Sequence, residues 1–247
     1  MAIKTSLNYS PNFDPKKRKA NQIKFLIFHY TGMRTEKAAI KRLTDIKSEV
    51  SSHYFIKQNG QVITLVPDLY IAWHSGKSNW KKYKSLNRNS IGIEITNHGH
   101  SFGYKKFQKK QISSLIKLTK FLISKYKINK KNILGHSDIA PERKKDPGEK
   151  FPWQYLSKKK IGYWHSLDRK ILIKRRILKT NNLQKNLFYK NIYKIGYSKK
   201  IPLNLKNRKN DYLKKITKAF QRRFRPEIVN GEIDEECLII STNLIKQ

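Results

Sequence analysis

The chain has 247 residues, with 55 Lys and Arg against 17 Asp and Glu and a formal charge of +38. That length holds one large domain, or a medium domain with a small one. Hydrophobic residues make up 38%, enough for a packed core, which excludes a wholly disordered chain. A single cysteine, Cys237, excludes an intramolecular disulfide and any multi-cysteine zinc site.

The charge is spread along the whole chain, net +21 over residues 1–150 and net +17 over residues 151–247. A nucleic-acid binder gathers its charge into a patch or stripe. The spread argues against nucleic acid as a partner and for a basic surface that draws anions of any kind. The first residues, MAIKTSLNYSPNFDPKKRK, lack the apolar stretch of a secretory signal, and no apolar run approaches the roughly 20 residues of a membrane span. The reading from these features is a cytoplasmic protein with no transmembrane segment.

Residues 1–20 are polar and basic and read as an irregular arm. Ile23–Tyr30 is an apolar run of strand length, suited to a strand covered on both faces, with His29 near its end. Thr35 is placed to cap a helix over Glu36–Lys47. His53–Lys57 and Gln61–Val66 flank Asn59-Gly60, a strong hairpin signal. Pro67–Leu86 reads as a long loop. Ser90–Thr96 is a second buried strand with one acid, Glu94, inside it. Ile112, Leu115, Ile116, Leu122, Ile123 and Tyr126 form a stripe at helical spacing, a helix of about 18 residues. Asn132–Leu134 reads as a short strand leading into a Pro-, Gly- and charge-rich loop that runs to Trp153. This order predicts an α/β fold with a mixed central sheet flanked by helices. After Trp164 the texture changes. Asp168–Lys179 reads as a linker or helix, and Leu183–Ile192, Asp211–Phe224 and Asp234–Leu244 as three helices. The expected organisation is a basic arm (1–20), an α/β domain (21–165) and a small helical domain (175–247).

His29 and His136 each follow or end a strand, where α/β sheets place their sites, and Asp146 lies in a DPG turn ten residues after His136. Two imidazoles and a carboxylate form a three-ligand set that leaves one tetrahedral position open, the pattern of a catalytic zinc site. Taken singly, each has a plainer reading: a histidine satisfied in a core or loop, and an aspartate that only makes a turn. Glu94 is either an outward-facing acid on a half-exposed strand or a general base beside the metal. Lys144, two residues before Asp146, is either a solvated member of a basic run or a group that stabilises an oxyanion.

The motifs FHYTG (Phe28–Gly32), SSHYFI (Ser51–Ile56), AWHSG (Ala72–Gly76), NSIGIE (Asn89–Glu94) and GHSDIAPERKKDPG (Gly135–Gly148) occur in order. The series resembles the type 2 N-acetylmuramoyl-L-alanine amidases, over about residues 20–155. The resemblance implies that His29, His136 and Asp146 bind one zinc ion and that Glu94 and Lys144 are the catalytic pair. It implies cleavage of the amide between the lactyl group of N-acetylmuramic acid, or its anhydro form, and L-alanine in peptidoglycan or muropeptides. It also assigns Trp73 and His74 weakly to substrate contact. His53, in a strand motif, reads as structural. A second segment, AFQRRFRPEIVNGEIDEE (Ala219–Glu236), resembles the signature of a three-helix peptidoglycan-binding domain. There Phe220 and Phe224, at i and i+4, read more simply as core than as a sugar-binding face. The pairing is similar to a subgroup of outer-membrane lipoprotein amidases, which leaves a periplasmic or cell-envelope location open, although no lipidation cysteine stands near the start. The competing reading is a non-catalytic module that binds or senses peptidoglycan.

Overall fold

A computed structural model describes residues 5–198 and 209–247. Ten strands occur among the described residues: β1 (Ser6–Leu7), β2 (Phe13–Asp14), β3 (Phe25–Tyr30), β4 (Tyr54–Ile56), β5 (Val62–Thr64), β6 (Ile71–Ala72), β7 (Asn79–Trp80), β8 (Tyr83–Lys84), β9 (Ser90–Ile95) and β10 (Ile133–Gly135). Six of them form the central sheet in the order β1-β5-β4-β9-β3-β10. Only the β4–β5 hairpin is antiparallel, so the sheet is mixed. Its turn carries Gly60 at φ +89°, a conformation that glycine adopts without steric cost.

Strand alternation sorts the two faces. Leu26 and Phe28 of β3, with Ile91, Ile93 and Ile95 of β9, pack under the helix α2, Lys109–Tyr126, through its Ile112, Leu115, Leu118 and Leu122. A first helix α1, Glu36–Thr44, lies before it in the chain, and Thr35 Oγ1 accepts its Ala38 N–H at 3.1 Å. The other face presents Phe25, Ile27 and His29 from β3, and Ser90, Gly92 and Glu94 from β9. His29 and Glu94 are direct register partners on neighbouring parallel strands.

Past β10 come two short helices, α3 (His136–Ile139) and α4 (Trp153–Lys158), and then α5 (Arg169–Arg176), α6 (Asn182–Ile195), α7 (Lys209–Phe224) and α8 (Glu235–Ile245). Phe188 and Ile192 of α6, Phe220 and Phe224 of α7, and Ile240 of α8 share one hydrophobic cluster with Phe25, Ile27 and Leu134 of the sheet. The C-terminal helices therefore cover the second face of the sheet. Phe220 and Phe224 are core residues, 0% and 1% exposed.

The structure departs from the sequence expectation in three places. Residues 1–4 of the expected arm lie outside the described residues, but the rest is ordered against the sheet: Ser6–Leu7 pairs with β5, and Arg18 is 6% exposed. The basic composition concealed this, because Arg18 is satisfied by the carbonyls of Asp68, Asn87, Arg88 and Ser90. Pro67–Leu86 is not one loop but contains β6 and the β7–β8 hairpin. The loop after β10 begins as a helical turn, α3, in which Asp138 accepts the Gly135 N–H at 2.8 Å. Of the two readings of Asp168–Lys179, linker or helix, the structure has the helix, α5, with the Asp168 side chain as its cap.

Candidate metal centre and cleft

His29 leaves the end of β3, His136 opens α3 immediately after β10, and Asp146 returns over α3, held by a Ser137 N–H to Asp146 carbonyl bond of 2.8 Å. His29 thus meets two residues more than 100 positions further along the chain, themselves ten apart, at the carboxyl edge of adjacent parallel strands. His29 Nδ1, His136 Nδ1 and Asp146 Oδ2 form a triangle with every side 3.0 Å.

The hydrogen-bond network fixes the protons around this triangle. The Ser90 hydroxyl donates to the Leu86 carbonyl at 2.6 Å, so its oxygen accepts from His74 Nε2–H at 3.1 Å. That leaves His74 Nδ1 bare, and it accepts from His29 Nε2–H at 3.1 Å. His136 Nε2 lies 3.1 Å from the Ser75 carbonyl and donates to it in the tautomer that turns Nδ1 toward Asp146, while the Arg143 guanidinium bonds the same carbonyl and stands 3.4 Å from that nitrogen. Both Nδ1 atoms are therefore lone pairs turned toward a carboxylate oxygen. Burial, and then the adjacent His136 ring, lower His29 to about 4, so it is neutral at pH 7, the form that binds metal. Burial pushes the Asp146 carboxyl up, but the facing imidazoles outweigh it and hold the group well below the usual carboxylate range.

Three acceptors at 3.0 Å with no proton between them repel unless a cation lies among them. Tetrahedral coordination at bond lengths of about 2.0 Å demands ligand separations of roughly 3.3 Å. The donor set and its spacing fit a divalent ion, and His29, His136 and Asp146 can hold a metal.

The triangle lies on the wall of an open cavity of about 420 Å³, which Glu94, Lys144, Trp73 and His74 also line. Glu94 Oε2 is sealed from solvent and has no hydrogen-bond partner among the described residues. Burial, and then the Asp146 carboxylate, raise Glu94 to about 8 against the pull of Lys144. Trp73 is 36% exposed. His74 is 8% exposed, with both ring nitrogens engaged as described, so it sits behind His29. His53 is fully buried: its Nδ1 accepts from Gly92 N–H at 3.0 Å and its Nε2 donates to the Tyr70 carbonyl at 3.1 Å.

Sequence reading missed the supports of this centre. A Cβ on Gly92 would overlap the His74 ring, so only glycine leaves room for it. Ser90 and Gly92 stand four and two residues before Glu94, on the same strand face, which was the available signal. Asp138 is the second omission. It accepts from Arg223 of α7 at 2.6 Å and from the Tyr197 hydroxyl at 2.7 Å, while Arg223 also donates to the Ile133 carbonyl at 2.9 Å. The C-terminal helices thus grip the turn that begins with His136.

A mixed sheet with two histidines and one carboxylate converging at its edge, open to a cleft, is an α/β fold with a group that can hold a metal. Residues 19–149 match the family described as N-acetylmuramoyl-L-alanine amidase. The N-acetylmuramoyl-L-alanine amidase AmiD of Escherichia coli (strain K12) is 35% identical over 238 residues, covering 92% of this chain and 83% of AmiD. The 1,6-anhydro-N-acetylmuramyl-L-alanine amidase AmpD of Haemophilus influenzae is 33% identical over 167 residues, covering 60% of this chain and 88% of its own. The solved complex of E. coli AmiD with anhydro-N-acetylmuramic acid-L-Ala-D-gamma-Glu-L-Lys superposes with a TM-score of 0.78 at 32% identity, over 91% of this chain and 89% of that one. The chain belongs to the N-acetylmuramoyl-L-alanine amidase family.

Proposed function

We propose that this protein hydrolyses the amide joining N-acetylmuramic acid, or its anhydro form, to L-alanine in a muropeptide or peptidoglycan strand, using one zinc ion held by His29, His136 and Asp146. The observation that carries the reading is the triangle of bare donor atoms, 3.0 Å on each side, on the wall of a cleft. The anhydro-muramyl tripeptide in the AmiD complex and the anhydro-muramyl-L-alanine amidase activity for which AmpD is named support the same bond.

Zinc at this position supplies Lewis acidity toward the amide carbonyl and toward water. Glu94, on the wall of the same cavity, is the general base: a cation at the triangle would favour its carboxylate form against burial, and the carboxylate takes a proton from the attacking water and returns it to the departing alanine nitrogen. Lys144, across the same cavity, balances the negative charge that develops on the carbonyl oxygen. Trp73 offers an exposed ring edge for the sugar or peptide. His74 and Ser90 orient His29.

Residues 21–165 form the catalytic unit in this reading, in keeping with the coverage of AmpD, and residues 175–247 a peptidoglycan-binding-like unit docked on the sheet. Among the described residues no helix is long and apolar enough to cross a membrane. The test is to incubate purified protein with an anhydro-muramyl tripeptide and follow free tripeptide by mass spectrometry. Release of tripeptide that stops on chelation is expected. Tight binding without cleavage after zinc addition would instead favour a non-catalytic binding module.

A further inference from the structure

Four arginines are buried: Arg18, Arg222, Arg223 and Arg225. A guanidinium keeps its charge and carries five N–H donors, so burying one without acceptors is costly. Three of the four are provided for. Arg18 reaches four backbone carbonyls, Arg223 reaches Asp138 and the Ile133 carbonyl, and Arg225 reaches Asp234 at 2.8 Å. Arg222 is 8% exposed, yet it makes no hydrogen bond to any described residue, and its Nε is sealed from solvent.

Arg222 lies on α7 and lines a cavity of about 270 Å³ between that helix and the segment after α3. Lys144, Lys145, Lys215 and Lys218 line it too, and Glu142 is the one acid in its wall. Lys215 has its own partner, Asp211, at 2.8 Å. Lys144 and Lys145 also line the cleft that holds the metal triangle, so the two cavities adjoin across residues 143–145. Many lysines on a chain of charge +38 are solvated surface groups. Arg222 differs because it is buried with no hydrogen-bond acceptor for any of its donors among the described residues, although the Glu149 charge attracts it.

We propose that this second cavity is a carboxylate-binding subsite for the peptide part of the substrate, with Arg222 as its principal ligand and Lys218 beside it. The inference rests on the amidase reading and extends it into the C-terminal helices. A stem peptide linked through the γ-carboxyl of D-glutamate, as in the AmiD complex, keeps the glutamate α-carboxylate free. That anion lies two residues beyond the scissile amide, about 7 Å along an extended chain. Lys144 marks the reacting carbonyl, and a group that far along the peptide passes the 143–145 segment into the Arg222 cavity. A held guanidinium then takes the carboxylate through charge-assisted bonds with little loss of side-chain freedom.

The test compares two substrates in the full-length zinc-loaded protein: the tripeptide with D-γ-glutamate, and the same molecule with D-isoglutamine, whose α-carboxamide is neutral. Wild type is expected to favour the carboxylate form by about ten-fold in kcat/KM. Arg222→Met removes most of that preference, through KM, and Lys218→Met reduces it less. An unchanged preference in Arg222→Met overturns the subsite. If that variant does not fold, an unchanged preference in Lys218→Met overturns it instead. Calorimetry with the two free peptides reads the same preference without turnover. If wild type cuts neither substrate, the amidase reading fails, and the subsite stands or falls on whether peptide binding still distinguishes carboxylate from carboxamide.

Discussion

The Nε2 of His29 and the Nδ1 of His74 stand 3.1 Å apart, and this contact decides which nitrogen of His29 faces Asp146. With His74 removed, the His29 ring loses the acceptor that fixes its tautomer. Loss of such an outer partner typically costs 10- to 100-fold in metal affinity or activity, about that in either case. His74→Ala is expected to need about that much more free zinc for half-maximal activity in a metal-buffered titration. Gly92→Ala, which crowds the same ring, should shift the titration in the same direction. An unchanged titration in both variants would show that the ring orientation is set elsewhere.

Glu94→Gln keeps the size of the side chain and removes its basicity. If Glu94 carries the proton, kcat should fall by a factor on the order of 10² to 10⁴ while zinc content stays at the wild-type level. A fall in zinc content would instead make Glu94 part of the metal's support.

Arg223 and Asp138 are 1% exposed and joined at 2.6 Å. Arg223 also stacks 4.4 Å from the centre of the Trp153 ring. Removing one partner of a buried pair leaves the other charge uncompensated, a loss of about 3–5 kcal/mol. Arg223→Met is expected to lower stability by that amount in urea unfolding. It should also loosen the His136 turn, so zinc dissociates faster from the variant than from wild type. A stable variant with normal zinc release would separate the C-terminal helices from the metal centre.

Histidine burial sets the acid limit of stability. Burial, and then the Arg18 guanidinium, lower His53 to about 3 from its ordinary 6.5, and burial lowers His165 to about 4. The folded state thus holds both rings neutral where the unfolded chain protonates them. Their contribution is complete above pH 6.5 and is lost as the pH falls through the window down to about 3 and about 4. The slope is at most about 1.4 kcal/mol per pH unit for each ring. Urea midpoints measured between pH 7.5 and 4.5 should decline monotonically; a flat profile would contradict the burial of these rings.

The residues most legible in the sequence were those whose role is written in a local pattern. IKFLIFHY and SIGIEIT declare buried strands, and their alternation puts His29 and Glu94 on one face once the strands are paired in register. The Asn59-Gly60 turn and the Ile112–Tyr126 stripe are equally local. What escaped depends on contacts between distant segments. His74 is placed by the space above Gly92, Arg18 by carbonyls 50 to 72 residues away, and Asp138 by an arginine 85 residues on. In a chain with 55 basic residues, no local signal separates the few buried arginines from the solvated majority.

Metal analysis coupled to a cleavage assay decides whether His29, His136 and Asp146 hold one ion on which amide cleavage depends. About one zinc per chain is expected in the purified protein, with loss of both zinc and tripeptide release in His29→Ala and recovery of the chelated wild type on adding zinc. Full tripeptide release by metal-free protein, or by a His29→Ala variant that still carries its zinc, would contradict it.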